Sequence, residues 1–152
     1  MSQTQNKISV SPQGEAFPLP ELSDYAAEYE RVKALAEAAR ESGKEVVVVM
    51  GVGFVGAVMA AIVADCEGKD GQPSKFVIGC QRPSTRSFWK IPLLNRGVSP
   101  VKAEDPQVDL LIGRCVLEKK TLIATYNSQV LDLADCVVID VQCDFLKQEL
   151  GN

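Results

Sequence analysis

Short apolar runs at 45–50, 75–80, 121–124 and 136–141 are separated by stretches whose apolar residues recur at helical spacing. Strands that alternate with helices predict a parallel sheet. The first run holds the unbroken series Val46, Val47, Val48 and Val49, the pattern of a strand buried on both faces. An alanine-rich apolar helix is expected over 54–66, and helical or partly helical segments over 85–95 and 106–119, with Pro92 interrupting or ending the first of these. The polar loop 67–74 lengthens the first crossover. Upstream, 23–42 reads as an amphipathic helix with Ser23 or Asp24 as its N-cap and Gly43 as its stop. Tyr25, Tyr29, Val32, Leu35, Ala36 and Ala39 form the face that would pack on the domain downstream. Residues 1–22, with Pro12, Pro18 and Pro20 among polar neighbours, read as an extended or flexible lead-in, and 23–152 as the folded domain.

Where the valine strand meets the alanine-rich helix stand Gly51, Val52, Gly53, Phe54, Val55 and Gly56. A Gly-x-Gly-x-x-Gly turn between a strand and a helix is the arrangement dinucleotide binding requires. Gly51 turns the chain, Gly53 lets backbone approach a pyrophosphate, Gly56 lets the helix close on the sheet, and the helix N-terminus offers free N–H groups to phosphate. The alternative is a glycine-rich turn that serves packing alone. The fold class implied is α/β, a Rossmann-like parallel sheet with flanking helices, its strands in an order near 3-2-1-4, preceded by an extra N-terminal helix.

Composition narrows the chemistry. With 152 residues, 46% hydrophobic and 24% charged, the chain has material for one core. A net charge of -4 argues against nucleic acid or an anionic membrane as the main partner. No apolar run approaches the roughly 18 residues of a membrane span, and residues 1–14 lack a signal-peptide core, so a cytoplasmic location is expected. Histidine is absent, which removes imidazole as base or metal ligand. Cys66, Cys80, Cys115, Cys136 and Cys143 form an odd set without C-x-x-C spacing, so no disulfide framework or metal site is indicated; Cys80 and Cys136, inside strand patterns, should be buried and inert. Glu104, Asp105 and Asp109 suit a solvated helix start better than acid–base work.

Three blocks together resemble the N-terminal, NAD-binding part of the UDP-glucose/GDP-mannose dehydrogenase family of nucleotide-sugar dehydrogenases. They are the glycine turn with its aromatic-Val-Gly ending, the stretch from Ile91 through Asn95, Gly97 and Pro100 to Glu104 and Pro106, and the segment from Thr121 and Thr125 through Ala134 and Asp135 to Val141. The resemblance implies NAD as cofactor, phosphate contacts from Gly51, Val52, Gly53, Phe54, Val55 and Gly56, and Thr125 and Val141 on the far side of the cleft. Tyr126 and Asn127 would lie near by. At the position where the family places an acid for the adenosine ribose, this chain has Gln81, followed by Arg82. Gln81 can still bond a ribose, while Arg82, Ser84 and Arg86 offer donors for a 2′-phosphate, so NADP stays open beside NAD; a plain helix-capping role for these residues stays open too. After the last strand the family continues Val-x-Thr-Pro, whereas here Val141 is followed by Gln142, Cys143 and Asp144. Cys143 reads as a packing or loop cysteine in preference to a nucleophile.

The family oxidises the C6 alcohol of a sugar nucleotide to a carboxylate through two hydride transfers, with its catalytic cysteine and lysine downstream of the cofactor half. The chain is therefore expected to be part of a longer dehydrogenase, partnered by a C-terminal sugar-nucleotide domain and inactive alone, with no catalytic residue of its own and a homodimer left open. The alternative from another class is a non-catalytic, nucleotide-binding regulatory or interaction module.

Overall fold

The computed structural model describes residues 7–140. Two short strands, β1 (Ile8–Val10) and β2 (Ala16–Pro18), pair antiparallel and precede helix α1 (Tyr25–Glu41). Strand β3 (Glu45–Met50), helix α2 (Phe54–Ala64), strand β4 (Lys75–Cys80), helices α3 (Lys90–Asn95) and α4 (Gln107–Gly113), strand β5 (Leu122–Thr125) and strand β6 (Cys136–Ile139) complete the domain. The four longer-range strands form one parallel sheet in the order β5-β4-β3-β6. Counted from β3 that order is 3-2-1-4, as the sequence predicts.

The valine run occupies the middle of the sheet and divides by parity. Val47 and Val49 pack with Val77, Leu122 and Ala124 under α2, α3 and α4, while Val46 and Val48 pack with Phe76, Ile78 and Cys80 under α1. Helix α1 meets that second face with Val32, Ala36 and Ala39. A buried valine is worth roughly 1.5–3 kcal/mol over an exposed one, so a sheet without α1 would forfeit that term several times over. The helix ends at Gly43, whose φ of 86° reverses the chain into β3.

Local departures from the sequence-based expectations have local causes. The lead-in carries the β1–β2 hairpin, which docks on α3: the Trp89 N–H donates to Ser9 Oγ (3.1 Å), and Arg96 pairs with Glu15 (2.8 Å) while lying over the Phe17 ring. Pro92 sits inside α3, in its first turn, where a helix has no use for the missing N–H. Cys136 is exposed rather than buried, because β6 is an outer strand with β3 as its sheet neighbour. Beyond α4 the backbone widens into a π-helical turn over Arg114–Glu118, closed by the Lys119 N–H on the Arg114 carbonyl (2.8 Å).

The segment Asn95 to Gly97 has a structural duty. Asn95 Nδ2 donates to the Ala124 carbonyl (2.9 Å) and its Oδ1 accepts from the Ala124 N–H (2.8 Å), so one amide pairs with the outer edge of β5 as another strand would. Gly97, at φ 78°, leaves room for Leu117, which a Cβ there would meet at 2.8 Å.

Asn95→Asp should destabilise the fold by about 1–3 kcal/mol, since a carboxylate would face the Ala124 carbonyl with no proton between them; the shift in urea midpoint measures it. A second expectation concerns Asp65, which accepts a two-pronged pair from Arg114 (2.9 and 2.8 Å) and an ion pair from Lys119 (2.9 Å). The Arg114 hydrogen bonds first, and Lys119 after them, hold its carboxyl down at about 2. A depressed folded-state pKa contributes stability above the unfolded value, near 3.8, and the contribution disappears as pH falls toward about 2. Asp65→Asn should lower stability by about 1–2 kcal/mol at neutral pH and flatten that acid limb in denaturation curves taken between about pH 5 and 2.

Candidate functional site

Register brings the site together. Met50 lies opposite Cys80 and Ile139, and Cys80 opposite Thr125, so these four end their strands in one row. One step further the Gly51 N–H bonds the Cys80 carbonyl (2.8 Å), the Gln81 N–H the Thr125 carbonyl (3.0 Å) and the Asp140 N–H the Met50 carbonyl (2.9 Å). Gly51, Gln81 and Asp140 thereby form a second row at the carboxyl edge of the sheet. The chain runs from β3 outward to β4 and β5, then returns across β3 to β6, which makes the β3–β6 gap the switch point where open α/β sheets bind ligands.

The glycine turn lies at that gap. Gly51 has φ 103°, and Gly56 is packed so closely that a Cβ would lie 2.0 Å from the Gly51 carbonyl oxygen. Val52 is fully buried, and Gly79 in β4 makes room for it, since a Cβ on Gly79 would stand 2.7 Å from Val52 Cγ1. Gly53, the N-cap of α2, differs: among the described residues nothing lies within 4 Å of where its Cβ would be. Backbone is therefore presented to open space at the one glycine whose expected duty is to let a ligand approach. The first helical bond at this end runs from the Ala57 N–H to the Gly53 carbonyl (3.0 Å), and helix geometry leaves the preceding N–H groups without intrahelical acceptors. Phe54 and Val55 are largely exposed, at 63% and 53%, and open an apolar groove of about 720 Å³ between α2 and residues 102–108.

The other residues singled out from the sequence take differing places. Gln81 joins the turn, its Oε1 accepting from the Val52 N–H (3.0 Å). Arg82 follows it at the surface. Thr125 is in the row of strand ends but buried, and its hydroxyl donates to Glu28 of α1 (3.0 Å). Asn127 caps the turn after β5, accepting from the Gln129 N–H (3.0 Å), and donates to the Tyr25 carbonyl (2.9 Å). Tyr126 stands edge-on to the rings of Tyr25 and Phe88, and burial, with Glu28 and Asp24 near by, pushes its phenol up to about 12. Val141 and Cys143 lie outside the described residues.

Asp140 has no counterpart among the residues singled out from the sequence. Its Oδ2 would be 3.0 Å from a Cβ on Gly56, which sets a carboxylate against the first turn of α2. The available signal was its position directly after a strand, on the carboxyl edge of the sheet.

No protein-family model and no curated protein matches the sequence. Among solved structures, the chain is similar to the NDP-N-acetyl-D-galactosaminuronic acid dehydrogenase of Methanosarcina mazei Go1, with a TM-score of 0.58 and 33% identity over 71% of this chain and 22% of that one. Over that stretch the chain resembles a nucleotide-sugar dehydrogenase. A UDP-glucose dehydrogenase of the hyperthermophilic archaeon Pyrobaculum islandicum shares the fold, with a TM-score of 0.52 and 20% identity over 64% of this chain and 20% of that one. The chain thus spans about a fifth of the length of either dehydrogenase. Among the described residues, no helix is long and apolar enough to cross a membrane.

The second and third glycines of the turn should respond oppositely to side chains. Gly56→Ala is expected to lose about 1–3 kcal/mol or more, because its methyl meets backbone that cannot swing aside. Gly53→Asn is expected to hold or slightly raise the midpoint, since asparagine is a favoured N-cap and the space is open. Thermal and urea unfolding of the two variants side by side test both.

Proposed function

We propose that this domain is the NAD(P)-binding unit of a nucleotide-sugar 6-dehydrogenase, an enzyme that oxidises a sugar-nucleotide alcohol to the carboxylate. The observation that carries the reading is the glycine turn at the switch point of a 3-2-1-4 sheet, with Gly53 backbone facing open space and the free N–H groups of α2 beside it. Those N–H groups would hold the pyrophosphate, with Gly51 and Gly56 fixing the turn that aims them. Gln81 and Arg82 would meet the adenosine ribose. Thr125 closes the row of strand ends from the α1 side, and Val141 would follow β6 on the other. When bound, the dinucleotide supplies a hydride acceptor.

The domain's own contribution in this reading is binding and orientation. The two buried thiols among the described residues are poor nucleophiles, since burial pushes both Cys80 and Cys115 up to about 11. Tyr126, raised as well, keeps its proton. Chemistry on the sugar would fall to a partner portion that binds the sugar nucleotide, as the short span of the matched dehydrogenases that this chain covers suggests.

Asp140 modulates the same site. A carboxylate against the first turn of α2 occupies part of the positive end of the helix and repels a pyrophosphate. In calorimetric titrations of the 152-residue chain with NAD and NADP, saturable binding is expected for at least one. Gly53→Asn should weaken it about tenfold or more, and Asp140→Asn should strengthen it by about three- to tenfold at low salt. A folded chain that binds neither cofactor would reduce the glycines to a packing role.

A further inference from the structure

We propose that the adenosine end of this site is built for a 2′-phosphate, so that the dinucleotide it selects is NADP; the inference rests on the dinucleotide-binding function proposed for the domain. It starts from the orientation of one amide. The Val52 N–H can only donate, so the Gln81 atom 3.0 Å from it is the amide oxygen, and that oxygen is committed to the glycine turn. The atom left for a ligand is the Gln81 NH2, a donor. A ribose bearing free 2′ and 3′ hydroxyls is held best by a carboxylate, which accepts from both. A 2′-phosphate carries acceptors and negative charge, and a carboxylate at this position would repel it.

The next residues along the chain supply the matching charge. Arg82 and Arg86 are both exposed on the segment leaving β4. The ion pairs of the described residues use Arg31, Arg40, Lys75, Arg96, Arg114 and Lys119, so neither Arg82 nor Arg86 has a carboxylate partner among those residues. The serines between and beside them are already spent on the turn. Ser84 Oγ accepts from the Ser87 N–H (3.2 Å) and lies 2.7 Å from Ser87 Oγ, while the Arg86 carbonyl accepts from Trp89 Nε1 (2.9 Å). Capping thus fixes the backbone and leaves the two guanidiniums uncommitted among the described residues. A guanidinium meets a phosphate with parallel, charge-assisted hydrogen bonds, which no neutral ribose hydroxyl can return. The acid of the site, Asp140, stands at the β3–β6 gap, against the pyrophosphate end of the site, while Gln81 and the arginines follow β4 on the other side of β3.

Paired titrations with NADP and NAD decide the matter, using the full chain, with a melting curve for each variant to establish that it is folded. The native chain should bind NADP about tenfold or more tightly than NAD. Arg82→Ala and Arg86→Ala combined should erase that preference, weakening NADP binding about tenfold more than NAD binding. Gln81→Glu, the isosteric change, keeps an acceptor for the Val52 N–H and presents a second carboxylate oxygen to the ribose, so it should move the preference to NAD. Equal or tighter binding of NAD by the native chain would overturn the 2′-phosphate proposal alone and leave the dinucleotide reading standing. An arginine variant that loses both cofactors equally would overturn it in the same way. Binding of neither cofactor by the folded native chain would remove the dinucleotide reading and this inference with it.

Discussion

The structure hinges on how tightly the first turn of α2 closes on the end of β3. A single methyl at Gly56 would stand 2.0 Å from the Gly51 carbonyl oxygen, so the helix start and the strand end are in contact through bare backbone. That contact sets the direction of α2 and hence the aim of its free N–H groups. It also sinks Val52 into the core, over Gly79, where its N–H reaches Gln81. Three strands are therefore registered around one turn. Ladder bonds place Gly51, Gln81 and Asp140 in a row, and the turn then determines what each of them can offer a ligand.

Much of this was legible because strand and helix periodicities are strong here and the turn chemistry is unambiguous. Four valines between Glu45 and Met50 predict a strand covered on both faces, and such a strand needs helices on both sides. The 3-2-1-4 order follows from the glycine turn's usual setting. The pieces that were not legible depend on tertiary contacts without a local signature. Pro92 is compatible with a helix once the helix begins at Lys90, and nothing in the sequence places that start. The β1–β2 hairpin is stabilised by Trp89 and Arg96, some eighty residues away in sequence. Cys136 lies within a strand pattern like that of Cys80, and the difference in burial comes from edge against centre.

The site was legible to a similar depth. Backbone roles could be read, because glycines at fixed spacing permit few geometries. Side-chain commitments could not. Thr125 sits in the expected row, yet its hydroxyl is taken by Glu28 of a helix that precedes the sheet in the chain. Asn95 belongs to the block with the strongest resemblance to the dehydrogenases, and its amide is used to finish the edge of β5. A motif residue can mark a family through the fold it stabilises without touching a ligand.

Helix α1 extends that point from single residues to a whole face of the sheet. It lays Val32, Ala36 and Ala39 over Val46 and Val48, while α2, α3 and α4 cover the opposite side, so the sheet is closed above and below. Among the described residues the carboxyl edge remains open, and there polarity is divided about β3. Toward β6 stands Asp140 against the start of α2, and toward β4 stand the Gln81 amide and two arginines without carboxylate partners among the described residues. A ligand spanning both sides must place its least welcome charge beside Asp140 and its most welcome charge beside the arginines. Net charge does not reveal this, since a chain at -4 overall can present a cationic end to one ligand. The order of charge along the edge, more than the glycine turn alone, decides which ligand the proposed site would favour.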